Sequence, residues 1–373
     1  MTEQVVFVDP SGRGGIGHYT YCLAREMARA GTEVTLLTSD QWEFAQNPSG
    51  IDVRMCFRGY KTRPWAIRRE FERISKNGVA AVHWQSTTHP ILLWLLQSIS
   101  CSSLNECPWV FTVHNVLPHE IGWLDRLTHS MLYNRMNGLI FHGLTSRNRF
   151  QRLFSLNNRR WVTIPHGEYV FHFENKPVPG PNLEEKNILF FGNVRKYKGL
   201  IYLLRAFQLV REQVAGARLL IVGQALEDFT PYQKEIDLLG MAKHVDVELR
   251  YVSNEEVPDI FSRATVVALP YTDVYQSGVL LLAYGAGIPV VASDVGDLSE
   301  AIRDQETGLL VPPGEVPALR DALIALLENP EKCSEMGRNA RQLADTEYNW
   351  KRIAEQTLEF YRTLRRKNGK RND

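Results

Sequence analysis

At 373 residues the chain is longer than one ordinary hydrophobic core serves, so two domains are expected. Its 44% hydrophobic and 23% charged residues are typical of a globular protein able to bury a large core. A net charge of +1 excludes a general electrostatic case for nucleic-acid binding, and no nucleic-acid partner is expected.

Val5 to Val8 is a short apolar strand, and Asp9 to Gly17 reads as a glycine-rich loop after it. A helix follows, with Tyr19, Cys22, Leu23 and Met27 on one face and Gly31 as its stop. Glu33 to Thr38 is a second strand, which closes a βαβ unit. Gly12, Gly14 and Gly17 match G-x-G-x-x-G, with Asp40 beyond the second strand. That pattern permits a nicotinamide-dependent oxidoreductase, and equally a tight turn with no ligand.

Residues 1–182 hold 19 Lys and Arg against 14 Asp and Glu, so the basic excess lies in the first half. Much of it falls between Arg54 and Lys76. The stretch reads either as a solvated helix face or as a contact for an anionic membrane surface or phosphate-bearing acceptor.

Strands at Val79–Trp84 and Trp109–Val113 each end in polar residues. In an open α/β sheet the ligand lies beyond the carboxyl ends of the strands, which makes His83, Gln85, His114, Asn115 and His119 candidates by position. A single histidine is more often structural, and none here has metal-ligand spacing with a third donor, so no metal site is expected. The segments 139–142 and 161–167 complete a first domain, residues 1–174, and the Pro- and Gly-rich stretch 175–186 reads as a linker.

The alternation then restarts. Asn187 to Phe191 is a strand, followed by the turn from Gly192 to Gly199, a helix from Leu200 and a strand from Ala217 to Gly223. Thr265 to Pro270 is a buried strand with a loop to Gln276, and Ser277 and Gly278 fall in the first turn of the next helix. Unpaired N–H groups and the helix dipole make that turn a diphosphate cradle. The second domain spans 187–348, with the cleft between the two halves as the natural active site. In 349–366, Trp350, Ile353, Ala354, Thr357, Leu358, Tyr361 and Leu364 trace one face of a long amphipathic helix, and 367–373 is a polar tail. Five cysteines without a C-x-x-C pair fit a reduced compartment. The most apolar run, 91–96, is far short of the roughly 20 residues of a bilayer span, so a cytoplasmic protein is expected, peripheral at a membrane if 54–76 makes contact.

With Gly14-Gly15-Ile16-Gly17, Thr112-Val113-His114-Asn115, Gly192 to Gly199, Ser277-Gly278-Val279, Gly287 to Ser293 and Thr307 to Val311 in this order, the chain resembles the GT-B glycosyltransferases, and more narrowly glycosyltransferase family 4. The resemblance implies two Rossmann-like α/β domains facing across a cleft, with the final helix crossing back to the first. It implies Gly15 and Ile16 in the loop facing the donor phosphate and acceptor, and His114 on the donor sugar. It also implies Arg195 and Lys198 on the diphosphate, and a cradle from Gly192, Asn193, Ser277, Gly278 and Val279. Gln224 and Val252 would surround the base, and Gly14, His18, Asn115 and His119 the acceptor. The family's Glu-x7-Glu falls on Val274 and Leu282, neither acidic, so Tyr275 or Gln276 would contact the donor sugar instead.

The expected reaction is transfer of a hexose-type sugar from a UDP- or GDP-sugar to a glycan or lipid-linked saccharide. Arg195, Lys198 and a helix amino terminus supply the positive potential that a metal would otherwise provide. Retention of configuration is what the resemblance implies. A non-catalytic nucleotide-sugar or glycan binder is the remaining reading.

Overall fold

The computed structural model describes residues 4–44, 50–58, 61–62, 64–74, 78–86, 107–117, 125–155, 160–173 and 177–368. They form two units, 1–167 with 349–373, and 168–348.

In the first unit the elements run β1 (Gln4–Asp9), α1 (Gly14–Arg29), β2 (Glu33–Ser39), β3 (Ile51–Arg58), β4 (Lys61–Thr62), α2 (Pro64–Ile74), β5 (Val79–Trp84), β6 (Trp109–Thr112), α3 (Asp125–Arg135), β7 (Gly138–Phe141), α4 (Leu144–Leu153) and β8 (Arg160–Thr163). The sheet order is β4-β3-β2-β1-β5-β6-β7-β8, parallel except for the β3–β4 pair. Every residue of β1 is buried, as expected of a parallel strand covered on both faces. The order reverses between β1 and β5, so the loops after these strands diverge and leave a crevice at their carboxyl ends.

Two expectations are corrected here. The glycine-rich segment does not stay a loop to Gly17: α1 begins at Gly14, because the Glu43 carboxylate accepts a hydrogen bond from the Gly14 N–H at 3.2 Å and caps the first turn. The basic stretch is no single helix face either. Arg54 and Arg58 lie on β3, and Arg54 is neutralised by Asp52 and Glu70, each at 2.6 Å. Arg68 pairs with Glu72 at 2.8 Å on α2.

The last helix, α12 (Trp350–Asn368), packs on α1 and β5. All seven residues of the apolar face read from the sequence are buried. Its fit is close: a Cβ on Gly138 would stand 2.7 Å from Leu364, and one on Gly167 would stand 2.2 Å from the Trp350 ring.

The second unit contains β9 (Lys186–Phe191), α5 (Leu200–Gln213), β10 (Ala217–Val222), α6 (Thr230–Leu238), β11 (Val245–Glu248), α7 (Val257–Phe261), β12 (Val266–Leu269), α8 (Gly278–Gly285), β13 (Val290–Ser293), α9 (Leu298–Ala301), β14 (Gly308–Val311), α10 (Val316–Leu327) and α11 (Pro330–Thr346). Its all-parallel sheet runs β11-β10-β9-β12-β13-β14, and the order reverses between β9 and β12. The unit starts at Glu168, before the stretch read as a linker. Glu168 N–H donates to Tyr348 O at 2.9 Å, so the chain enters and leaves this unit side by side. Within 177–186, Gly180 N–H donates to Ala286 O and Asn182 N–H to Ala264 O, both at 2.9 Å.

Candidate active site

In the second unit the turn after β9 and the loop after β12 meet at the strand reversal. Gly199 has φ +67°, and a Cβ there would stand 1.9 Å from Pro270 O, so the turn can lie on the β12 loop only with glycine at this position. Thr272 N–H donates to Tyr197 O at 2.7 Å and ties the same two loops.

This clamp places Lys198. Its side chain is buried, 8% exposed, and a Cβ on Gly192 would stand 3.0 Å from Lys198 Nζ and 3.5 Å from Val279 Cγ2. The ammonium therefore lies beside the end of β9 and the start of α8. Desolvation, and then the positive charge of Arg195, push its pKa down to about 8. Among the described residues no carboxylate and no hydrogen-bond acceptor partners Lys198 Nζ or the Arg195 guanidinium. A buried cation without a counter-ion is costly unless an anion arrives.

The start of α8 completes the setting. Ser277 is its N-cap, extended, and its Oγ accepts from Leu280 N–H at 3.4 Å. The N–H groups of Gly278 and Val279 find no acceptor among the described residues, as the first positions of a helix lack intrahelical partners. Gly278 also leaves room for a neighbour distant in sequence: a Cβ there would stand 3.1 Å from the Tyr169 ring, a tight contact.

The other donor-side candidates are placed as follows. Val274 and Leu282 are buried in the apolar core, 4% and 9% exposed. Tyr275 is buried, Gln276 is half-buried and Asn193 is exposed. Gln224 is exposed beyond β10 and accepts from Val194 N–H at 2.8 Å, while Val252 packs half-buried against the core.

In the first unit the ends of β5 and β6 surround a cavity of about 200 Å³ with α1 and α3, lined by Ile16, Gln85, Ser86, Thr112, His114 and Asn115 among others. His114 Nε2 lies 3.3 Å from Gln85 Oε1, and its Nδ1 lies 3.1 Å from His142 Nε2. His142 Nδ1 in turn donates to Ile164 O at 3.0 Å. Burial holds the His114 pKa well below its ordinary value and brings those of His142 and His166 to about 3 and about 4. All three rings stand around Tyr19 with centroids 4.8 to 5.0 Å away.

His83, a candidate by position, is structural. It is fully buried between Tyr361 Oη at 2.6 Å and Thr112 Oγ1 at 2.7 Å, and both ring nitrogens are satisfied. Of the residues expected at the acceptor, His18 lies 3.5 Å from Glu43, and Gly14 donates to the same carboxylate. Gly15 is exposed and Ile16 half-buried at the cavity. His119 lies outside the described residues.

Packing accounts for two glycines of the G-x-G-x-x-G pattern, and Gly14, with nothing within 4 Å of a Cβ, adopts φ +64°. A Cβ on Gly12 would stand 2.8 Å from both Thr38 Oγ1 and Ser39 Oγ, and one on Gly17 3.0 Å from the Gly12 carbonyl carbon. The Glu43 carboxylate already occupies the start of α1, where a dinucleotide pyrophosphate would have to sit. No group of three His, Cys, Asp or Glu side chains among the described residues is placed to hold a metal ion.

Comparison with known proteins bears on this geometry. The family described as Glycosyl transferases group 1 matches residues 172–343, and Glycosyltransferase Family 4 matches residues 13–167. D-inositol 3-phosphate glycosyltransferase of Corynebacterium urealyticum is 33% identical, over 94% of this chain and 91% of the relative. Glycogen synthase of Mycobacterium tuberculosis is 24% identical, over 95% of this chain and 92% of its own. Among solved structures, sucrose-phosphate synthase from Thermosynechococcus elongatus matches with a TM-score of 0.74 at 19% identity, over 97% of this chain and 99% of that one. HepE from Anabaena, solved with UDP and glucose, matches with a TM-score of 0.74 at 18% identity, over 97% of this chain and 100% of that one.

Proposed function

The chain belongs to the group 1 glycosyltransferases of GT-B fold, and from that premise we propose that it moves a hexose-type sugar from a nucleotide-diphosphate sugar to a glycan or lipid-linked saccharide, with retention and without a metal. The observation that carries this reading is the buried Lys198 ammonium, which has no counter-ion among the described residues and lies beside the first turn of α8. A diphosphate supplies the missing charge. As the bond from the anomeric carbon to the phosphate oxygen breaks, negative charge grows on that oxygen. Lys198, Arg195 and the amides of Gly278 and Val279 then act on it from fixed positions.

No Asp or Glu is among the described residues that line the His114 cavity, so nothing there resembles a carboxylate nucleophile. Retention then follows a single-face course. The acceptor oxygen joins the anomeric carbon on the face the phosphate leaves, and its proton passes to the departing phosphate oxygen. His114, its pKa held well below ordinary, is a poor general base and serves as a hydrogen-bonding partner. UDP-glucose is the first donor to try, since HepE was solved with UDP and glucose. Leu282, buried and apolar, offers no carboxylate to a ribose diol.

The test is release of nucleoside diphosphate from UDP- and GDP-sugars in the presence of EDTA with saccharide acceptors, and the product anomer read by NMR. Turnover in chelator with retained configuration supports the reading. Absence of turnover despite donor binding favours a binding protein.

We also propose contact with an anionic membrane through Arg58 and Arg69. Ion pairing of Arg54 and Arg68 leaves Arg58 and Arg69, both exposed, to carry that contact. Sedimentation with anionic vesicles that is lost in Arg58→Glu/Arg69→Glu supports it, and no sedimentation refutes it.

A further inference from the structure

The cationic turn after β9 is held from the β12 loop, and a second anchor reaches it from the loop after β10. Lys196–Lys198 is a single 3₁₀ turn with Arg195, extended, as its N-cap. The first N–H of such a turn has no partner within it, and the Arg195 side chain makes no cap hydrogen bond. The acceptor comes from 31 residues further on: Glu227 Oε2 accepts from Lys196 N–H at 2.6 Å. Its other oxygen, Oε1, accepts from the Tyr232 hydroxyl at 2.6 Å. Tyr232 is buried near the start of α6, and α6 is tied to α5 by Arg205 and Glu235 at 2.7 Å. Burial, and then the bond to Glu227, raise the Tyr232 pKa, so its hydroxyl remains a donor. Each carboxylate oxygen therefore carries one charge-assisted hydrogen bond. Two backbone bonds join the same segments, Val194 N–H to Gln224 O at 2.8 Å and Leu226 N–H to Val194 O at 3.2 Å.

We infer that Glu227 is a positioning residue: held by Tyr232, it caps the 196–198 turn and sets where Arg195 and Lys198 stand. That these two cations meet a diphosphate rests on the glycosyl-transfer reading. The cap does not. Gly199 is pressed on Pro270 at one end of the turn and Glu227 grips Lys196 at the other, so Lys198 lies between two fixed points. Glu227 acts as a cap and not as a counter-ion: among the described residues it forms no ion pair with Lys198 or Arg195, and both charges stay available to an anion. Displacing a charged group by about 1 Å in a built site can cost up to about a hundredfold, which gives a carboxylate outside the site a hold on what happens within it.

The experiment takes two readouts on the full chain. Hydrogen exchange of the Lys196 amide reports the cap, in protein labelled with 15N-lysine and with the resonance identified by its absence in Lys196→Arg. Calorimetric titration with UDP and with UMP reports the cations. In Glu227→Ala the Lys196 amide should exchange about tenfold faster or more, and UDP affinity should fall about tenfold or more, with a smaller loss for UMP, which lacks the second phosphate. Glu227→Gln, whose carboxamide oxygen can accept from Lys196 N–H while its NH₂ donates to the Tyr232 oxygen, should restore both. Unchanged UDP affinity in Glu227→Ala, equal losses for UDP and UMP, or a Glu227→Gln protein as weak as Glu227→Ala overturns the inference. Should Glu227→Ala not fold, Tyr232→Phe, which removes one of the two partners of Glu227, is read in the same way: faster Lys196 exchange with weaker UDP binding supports the inference, and no change in either overturns it. Failure of the glycosyl-transfer reading would show separately, as a wild-type protein that binds no UDP or GDP while Lys196 exchange still responds to Glu227.

Discussion

Lys198 Nζ stands 5.6 Å from the centroid of the Tyr271 ring, a buried ammonium facing an aromatic face where a carboxylate would normally be. The ring quadrupole offsets part of the lost hydration and adds no formal negative charge. Tyr271 thus holds the cation in place and leaves its charge available to an incoming anion.

Removing that cation should therefore raise stability while it destroys function. Desolvation of Lys198, which brings its pKa from 10.5 down to about 8, sets a folding cost of about 3 kcal/mol at neutral pH. Lys198→Met should raise the melting temperature of the ligand-free protein by several degrees. Turnover should fall by roughly 10²–10³-fold, as for loss of an oxyanion-hole donor. Differential scanning calorimetry and steady-state kinetics on one preparation check both directions.

The same group gives donor binding a pH dependence. Its folded pKa, about 8, lies below the ordinary 10.5, so the ammonium is present below pH 8 and lost above it. Affinity for a nucleoside diphosphate should be flat up to pH 8 and then fall by up to about tenfold per pH unit. Stability of the ligand-free chain should move the other way, rising between pH 8 and 10.5, because the unfolded chain holds the extra proton in that window. Calorimetric titration with UDP at pH 7 to 9.5 reads the first, and urea midpoints read the second.

The histidine cluster predicts an acid limit. His83 and His142 have pKa values lowered to about 3 and His166 to about 4, from 6.5. Between those values and 6.5 the unfolded chain binds protons that the folded one does not. Stability is therefore complete above pH 6.5 and declines as pH falls, by about 1.4 kcal/mol per pH unit for each histidine. Urea midpoints measured from pH 7 to 4.5 should drop steeply, and a flat profile would mean the rings are not neutral and buried.

Gly199→Ala tests the clamp between the two loops. The added methyl would stand 1.9 Å from Pro270 O at φ +67°, so both sterics and backbone conformation oppose it. We expect a loss of more than about 2 kcal/mol, or donor affinity lowered at least tenfold if the loops part instead. Gly180→Ala, at φ +63° but with nothing within 4 Å of its Cβ, controls for backbone strain alone.

Much of this was legible in the chain because parallel strands are apolar on both faces and end in the residues that meet ligand. That logic marked Ser277 and Gly278 at a helix start and His114 at a strand end as candidates from local pattern, whereas Lys198 entered through the family resemblance. What escaped depends on contacts distant in sequence. Glu43 begins α1 from 29 residues beyond Gly14, and Tyr169 lies over Gly278 from more than a hundred residues away. β3 was hidden because exposed Asp52, Met55 and Arg58 dilute its apolar pattern, and Asp52 and Glu70 neutralise Arg54 across a strand and a helix that the charge count treated as one face. His83 looked like a site residue by strand position, but the Tyr361 hydroxyl, 278 residues later, satisfies it.

The most direct measurement is calorimetric titration of UDP into wild-type protein and into Lys198→Met, both in EDTA at pH 7. Binding by the wild type with at least a tenfold loss in the variant is the predicted result. Equal affinity in both proteins, or binding that vanishes with the chelator, would contradict a diphosphate site built from a buried ammonium and the first turn of α8.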